Sequence, residues 1–302
     1  MAKTVLSRYL DADVLNRVAS LQIEPRSLVI GNLAGAHKSP MSGFAVEFKG
    51  HREYVPGDDP KHIDWRVFFN RDKYFIKQYE METNFVCHLL LDVSASMRYG
   101  EGKQQKLDYA ASLAATLGYS VIRQSDKVSL ATFDNKVRDV LQPSNSLAQV
   151  TRITSHLDQI KPVEKTRMAD CLTELAGWMG RREIVVIMSD FFTELAPLEA
   201  ALQRLRYDQH EVVLMQVMHH DELEFQLGGM VKFVGLEVDE EILAQPEVLR
   251  DSYLRAMEAH RSELDAICHR NRCELVLADT SRNLAETLAD YLHQRSLLNR
   301  GR

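Results

Sequence analysis

The chain reads as an α/β protein built on a doubly wound, mainly parallel six-stranded sheet with helices on both faces. Short apolar runs of strand length recur from residue 85 to residue 278, and amphipathic helical stretches alternate with them. One such run, Phe85-Val-Cys-His-Leu-Leu-Leu-Asp92-Val-Ser94-Ala-Ser96-Met97, ends abruptly in a carboxylate and two hydroxyls. Strands covered on both faces carry continuous apolar runs, and strand–helix alternation produces parallel crossovers. Right-handed crossovers gather the loops after the strands at one sheet edge, where open α/β sheets bind their ligands.

A chain of 302 residues, 45% hydrophobic and 26% charged, can bury a substantial core. Its net charge of −6 disfavours a nucleic-acid-binding surface. Cys87, Cys171, Cys268 and Cys273 form no CxxC pair and read as buried thiols of a reducing compartment. The N-terminus lacks a secretory apolar region, and no run approaches the ~18 apolar residues of a membrane span. A cytoplasmic location without a membrane span is therefore expected.

Leu10 to Ala19 has apolar positions at helical spacing and predicts a short amphipathic helix; Leu28 to Leu33 is a second short element. Phe44, Val46 and Phe48 alternate like a strand, Pro56-Gly57-Asp58-Asp59 is turn chemistry, and residues 73–79 read as a strand. Between residues 47 and 80, seven basic side chains are matched by seven acidic ones, which suits ion pairing or a protein interface better than a phosphate track. Trp65 and the aromatics around it are expected in a core. Residues 1–84 are thus expected as an extension, with an N-terminal helix and a small β-containing part, packed on a main domain of residues 85–302.

In the main domain the strands are expected at 85–91, 127–133, 136–141, 183–188, 211–218 and 273–278. The second and third form a hairpin across Asp134-Asn135. Helices are expected near 104–124, 146–158, 167–179, 196–206, 247–270 and 282–297, and a short hairpin over 223–236 turns at Gly228-Gly229. This arrangement brings Asp92, Ser94 and Ser96, Thr166 ahead of a helix, and Asp190 after Ser189 to one edge. A carboxylate with small hydroxyl oxygens is a hard donor set suited to Mg²⁺ or Mn²⁺. The plainer reading is an Asp/Ser turn capping the next helix. His219-His220-Asp221 reads as a solvated strand-end loop, and Asp134 as a turn residue.

Asp92-Val-Ser94-Ala-Ser96, Thr166 and Asp190 resemble the Asp-x-Ser-x-Ser, Thr and Asp elements of a von Willebrand factor A (vWA) domain with a metal-ion-dependent adhesion site. Glu164-Lys165 stand where glycines often precede that Thr. Arg52-Glu53-Tyr54-x-Pro56-Gly57-Asp58-Asp59, Ile63-Asp64-Trp65-Arg66 and Lys77-Gln78-Tyr79-Glu80 further resemble the MoxR-associated proteins of domain-of-unknown-function family fifty-eight. The resemblance covers roughly residues 35 to 280. It implies a Mg²⁺ ion (or Mn²⁺ or Ca²⁺) held by Asp92, Ser94, Ser96, Thr166 and Asp190, with the carboxylates acting mainly through water. Met97, Arg98, Phe191 and Phe192 would flank it as partner contacts. The implied function is non-enzymatic: a chaperone-like interaction module whose metal accepts an acidic side chain of a client or of a MoxR-type AAA+ ATPase. The rival reading is a Mg²⁺-dependent phosphatase or phosphotransferase with Asp92 as nucleophile. Enzymes of the haloacid-dehalogenase kind usually need a second acid two residues on, and Ser94 stands there. No GxxxxGK[ST] loop or GxSxG elbow is present.

Overall fold

Leu89, Leu90 and Leu91 have neighbouring strands on both sides and are almost wholly excluded from solvent, as their unbroken apolar run requires. The computed structural model describes residues 5–19, 21–23, 25–26, 34–38, 47–55, 63–71, 73–80, 82–83, 85–160, 167–236 and 241–300. Contacts divide the chain into two units, Met1–Arg26 with Val86–Arg302, and Ser27–Phe85. The first 26 residues thus join the sheet unit, whereas an extension of residues 1–84 was expected as one piece.

Helices α1 (Val5–Tyr9) and α2 (Ala12–Val18) open the sheet unit, and Asp11 caps α2 by accepting the Asp13 N–H at 3.0 Å. Val14 and Val18 are buried, while Arg8 pairs with Asp108 at 2.9 Å and Asp158 at 2.8 Å.

The smaller unit holds β1 (Ala34–Lys38), β2 (Glu47–Glu53), α3 (Trp65–Arg71), β3 (Phe75–Glu80) and β4 (Glu82–Thr83). β2 pairs antiparallel with β3, and β1 with β4. Trp65 is not in a core: it is 53% exposed, and its edge meets Phe68 and Tyr74 at 6.1 and 6.4 Å. Phe68 and Tyr74 stack at 4.5 Å, so the aromatics satisfy one another on the unit's surface. The expected element at 28–33, the alternation at 44–46 and the Pro-Gly-Asp-Asp turn lie outside the described residues.

The rest of the sheet unit runs β5 (Val86–Asp92), α4 (Lys106–Arg123), β6 (Lys127–Phe133), β7 (Val137–Ser144), α5 (Ala148–Leu157), α6 (Met168–Ala176) and β8 (Ile184–Ser189). Then come α7 (Leu195–Tyr207), β9 (Glu211–Met218), α8 (His220–Glu224), β10 (Val231–Val234), β11 (Glu241–Ala244), α9 (Pro246–Arg270), β12 (Glu274–Asp279) and α10 (Leu284–Arg300). The six-stranded sheet has the order β12-β9-β8-β5-β6-β7, parallel throughout except for the antiparallel edge strand β7. From β5 the chain winds outward through β6 and β7, then restarts at β8 and winds the other way. β5 and β8 therefore bound the topological switch point, where their carboxyl ends open a crevice. The expected hairpin near 223–236 is displaced. Residues 220–224 are helical, and β10 pairs with β11, so Gly228-Gly229 precedes the hairpin instead of turning it. Cys87, Cys171 and Cys268 are buried and all four thiols are free.

Candidate metal centre

Asp92 is the last residue of β5 and is fully buried. One carboxylate oxygen accepts the Ser94 N–H at 2.8 Å, and the other accepts the Ser189 hydroxyl at 2.6 Å. Both donors are neutral. Burial, reinforced by the Asp190 charge, pushes the Asp92 carboxyl up to about 7 against these hydrogen bonds. A carboxylate so placed gains strongly from a cation.

Beyond Asp92 the chain turns through a 3₁₀ segment, Ala95–Arg98, with Ser94 at its N-terminal boundary. Ser94 makes no side-chain cap there, so helix capping does not account for its hydroxyl. The Ser94 and Ser96 hydroxyls hydrogen-bond to each other, their oxygens 3.1 Å apart. Oxygens about 2.1 Å from an octahedral Mg²⁺ ion stand about 3.0 Å from their cis neighbours, so this pair matches one edge of such a shell. The donor set of Asp92, Ser94 and Ser96 fits a hard divalent cation. No group of three or more His, Cys, Asp or Glu suited to a metal ion occurs among the described residues.

Asp190 leaves the end of β8 and is 2% exposed. Its carboxylate accepts the Phe192 N–H at 3.2 Å and the Lys106 ammonium at 2.8 Å. Phe191 takes φ of +59°, a left-handed conformation that costs a bulky residue about 1–2 kcal/mol. The Ser189 hydroxyl, accepting the Phe191 N–H at 3.1 Å, helps hold that turn while it donates to Asp92.

Thr166 lies outside the described residues. Its successor Arg167 donates its N–H to the Asp134 carbonyl at 2.9 Å, just past the end of β6. The Asp134 carboxylate is occupied by Arg138 at 2.6 Å, consistent with a turn role. Of the four expected partner contacts, Arg98 and Phe192 are exposed, whereas Met97 and Phe191 are completely buried. Those two anchor the site loops from beneath and present no surface to a partner. His219 is the N-cap of α8, not part of a solvated loop, and its ring accepts the Asp221 N–H at 3.2 Å.

The residue that sequence reasoning passed over is Lys106. It starts α4, is 1% exposed, and bonds Asp190 at 2.8 Å and Glu222 at 2.9 Å. Burial disfavours the ammonium, but the two carboxylates outweigh it and hold its pKa above the usual value. One signal was available: Lys106 shares a helical stripe with Ala110, Leu113 and Leu117, all buried. A charge on an inward stripe needs a buried counter-charge.

Gly100 lets the chain reach that position. At φ of +93° it turns the loop so that the Lys106 N–H bonds the Tyr99 carbonyl at 3.0 Å. A Cβ there would stand 2.7 Å from the His219 ring and 2.8 Å from the Gln104 carbonyl. Gly100→Ala is expected to cost roughly 1–3 kcal/mol, read as a lowered denaturation midpoint at unchanged slope.

The family described as "Protein of unknown function DUF58" matches residues 50–263, more than two thirds of the chain. The chain belongs to that family. Among relatives, an uncharacterized protein of Mycobacterium tuberculosis (strain ATCC 25618 / H37Rv) is 26% identical over 263 residues, covering 84% of this chain and 81% of that one. An aerotolerance-related membrane protein from Bacteroides fragilis NCTC 9343 is similar in structure at 14% identity and a TM-score of 0.46, covering 70% of this chain and 98% of that one. The SpRpn10 VWA domain is similar at 12% identity and a TM-score of 0.38, covering 68% of this chain and 94% of that one. The fold of this family member is α/β, a six-stranded mixed sheet with helices between its strands. The cytoplasmic location expected from the sequence is withdrawn, because similar structures include a protein described as a membrane protein. No helix among the described residues is long and apolar enough to cross a membrane.

Proposed function

We propose that this DUF58 protein is a non-enzymatic, metal-dependent docking module that recognises an acidic side chain of a partner, with a MoxR-type AAA+ ATPase as the expected partner. The observation that carries this reading is the pair of hydroxyl oxygens of Ser94 and Ser96, 3.1 Å apart beside the buried carboxylate of Asp92, whose hydrogen-bond donors among the described residues are neutral. A divalent cation held there supplies an open coordination position for the partner's carboxylate. Ser94, Ser96 and Asp92 would hold it, and Asp190 would order its water shell. Arg98 and Phe192, both exposed beside the loops, are the contacts that a partner surface would meet.

Against a phosphotransferase, Asp92 is a poor nucleophile. It is fully buried, each of its oxygens already accepts a hydrogen bond, and Ser94 supplies no general acid.

The test is affinity capture of the purified protein's partners from its native host in Mg²⁺ against EDTA, with titration of the protein alone by Mg²⁺ and Mn²⁺. Ser94→Ala is expected to fold with an unchanged far-ultraviolet circular dichroism spectrum, to bind Mn²⁺ at least tenfold more weakly, and to lose the Mg²⁺-dependent partner. Capture by Ser94→Ala that equals wild type, or Mg²⁺-dependent phosphatase activity lost in Asp92→Asn, would overturn the reading.

A further inference from the structure

The ammonium of Lys106 is a feature that metal-mediated docking does not require. It is buried to 1% exposure and lies between Asp190 at 2.8 Å and Glu222 at 2.9 Å. The Tyr99 and Phe192 rings close over it at 5.9 and 5.5 Å. Glu222 is held in turn, since its second oxygen accepts the His219 N–H at 2.9 Å in the capping box of α8. The ammonium therefore has a fixed position and one direct link to the candidate centre, through the Asp190 carboxylate.

Asp190 is the acid that would order the water shell of a cation at Asp92, Ser94 and Ser96. A positive charge already bonded to it reduces what it offers a second cation, and the two cations repel each other across a water-poor interior. Glu222 acts in the opposite sense, because it offsets part of the Lys106 charge.

We propose that Lys106 is an internal counter-charge that sets the cation affinity of the centre, weakening it through Asp190, with Glu222 moderating that effect. This rests on the reading of the centre as a divalent-cation site. Its consequence is a centre that fills weakly alone and is completed when a partner brings further negative charge.

The measurement is Mn²⁺ and Mg²⁺ affinity of the full chain by calorimetry, together with the rise in melting temperature that each ion produces. Lys106→Met is expected to bind Mn²⁺ roughly tenfold or more tightly, and Glu222→Gln roughly threefold or more weakly. Captured partner should persist to lower Mg²⁺ concentrations in Lys106→Met. The opposed signs separate this role from simple scaffolding, since a loosened fold would weaken binding in both variants. If Lys106→Met proves too unstable to titrate, Lys106→Gln, which removes the charge but keeps a hydrogen-bond donor toward Asp190, is titrated in its place with the same tighter binding expected.

Wild-type binding with both variants weakened, or both unchanged, overturns the Lys106 proposal and leaves the docking reading standing. Absence of divalent-cation binding in wild type and Lys106→Met alike overturns the docking reading itself.

Discussion

Arg295→Met is expected to destabilise the protein by about 3–5 kcal/mol, on the order of 10 °C in melting temperature. Arg295 sits in α10 at 1% exposure, with its guanidinium held by Glu211 at the start of β9 and by Glu274 at the start of β12. Glu274 also meets Arg26 at 3.2 Å, and Tyr291 stands one turn back on α10, its hydroxyl 3.5 Å from the guanidinium. One buried cation thus ties the last helix to the amino ends of two parallel strands, at the edge opposite Asp92. Replacing it with an apolar side chain of similar length keeps the packing and leaves two largely buried carboxylates facing each other without their principal cation. Breaking one side of such a network costs more than the network contributes net, because the surviving charges stay desolvated. Urea unfolding gives the loss directly, and adding Glu211→Gln to Arg295→Met should recover part of it. A loss below about 1 kcal/mol would show that water reaches these carboxylates once Arg295 is gone.

The partners of Arg295 were illegible in the sequence, and so were those of Lys106, for the same reason. Each residue is a charge on an otherwise apolar helix face, and its counter-charges come from segments some 20 to 120 residues away. Local patterning carries no record of such pairings. The sheet was legible because its strands are buried on both faces, so β5, β6, β8 and β9 print themselves as apolar runs. Edge strand β7 was readable through the Asp134-Asn135 turn. Asp92, Ser94, Ser96 and Asp190 followed from strand ends plus the handedness of crossovers. The direction of each neighbouring side chain did not. Phe191 points inward because its backbone enters the left-handed region, and Met97 is buried by the 3₁₀ turn after Ser94. Trp65 went the other way: its aromatic partners sit beside it on a surface, and apolarity alone does not distinguish a core from such a cluster.

Asp92→Asn is expected to abolish divalent-cation binding and, in EDTA above neutral pH, to make the protein more stable than wild type. The folded Asp92 carboxyl titrates at about 7, raised by burial and by Asp190 from an ordinary value of 3.8. Between those values the folded state keeps a proton that the unfolded chain has lost. This group's contribution therefore falls as pH rises from about 4 and is lowest above about 7, where its burial as an anion costs roughly 2–4 kcal/mol. The substituted amide carries no charge, can still accept the Ser94 N–H, and can donate to Ser189, whose hydroxyl is free to rotate. Melting curves in EDTA should converge for the two proteins below about pH 4 and stand furthest apart at pH 8, with the variant the more stable. Mg²⁺ should close that gap by raising wild type alone, since a cation beside Asp92 replaces the missing compensation. Lower stability of Asp92→Asn at pH 8 in EDTA would mean that the ionised carboxylate is already compensated from within the protein. The centre would then have no electrostatic need for a metal.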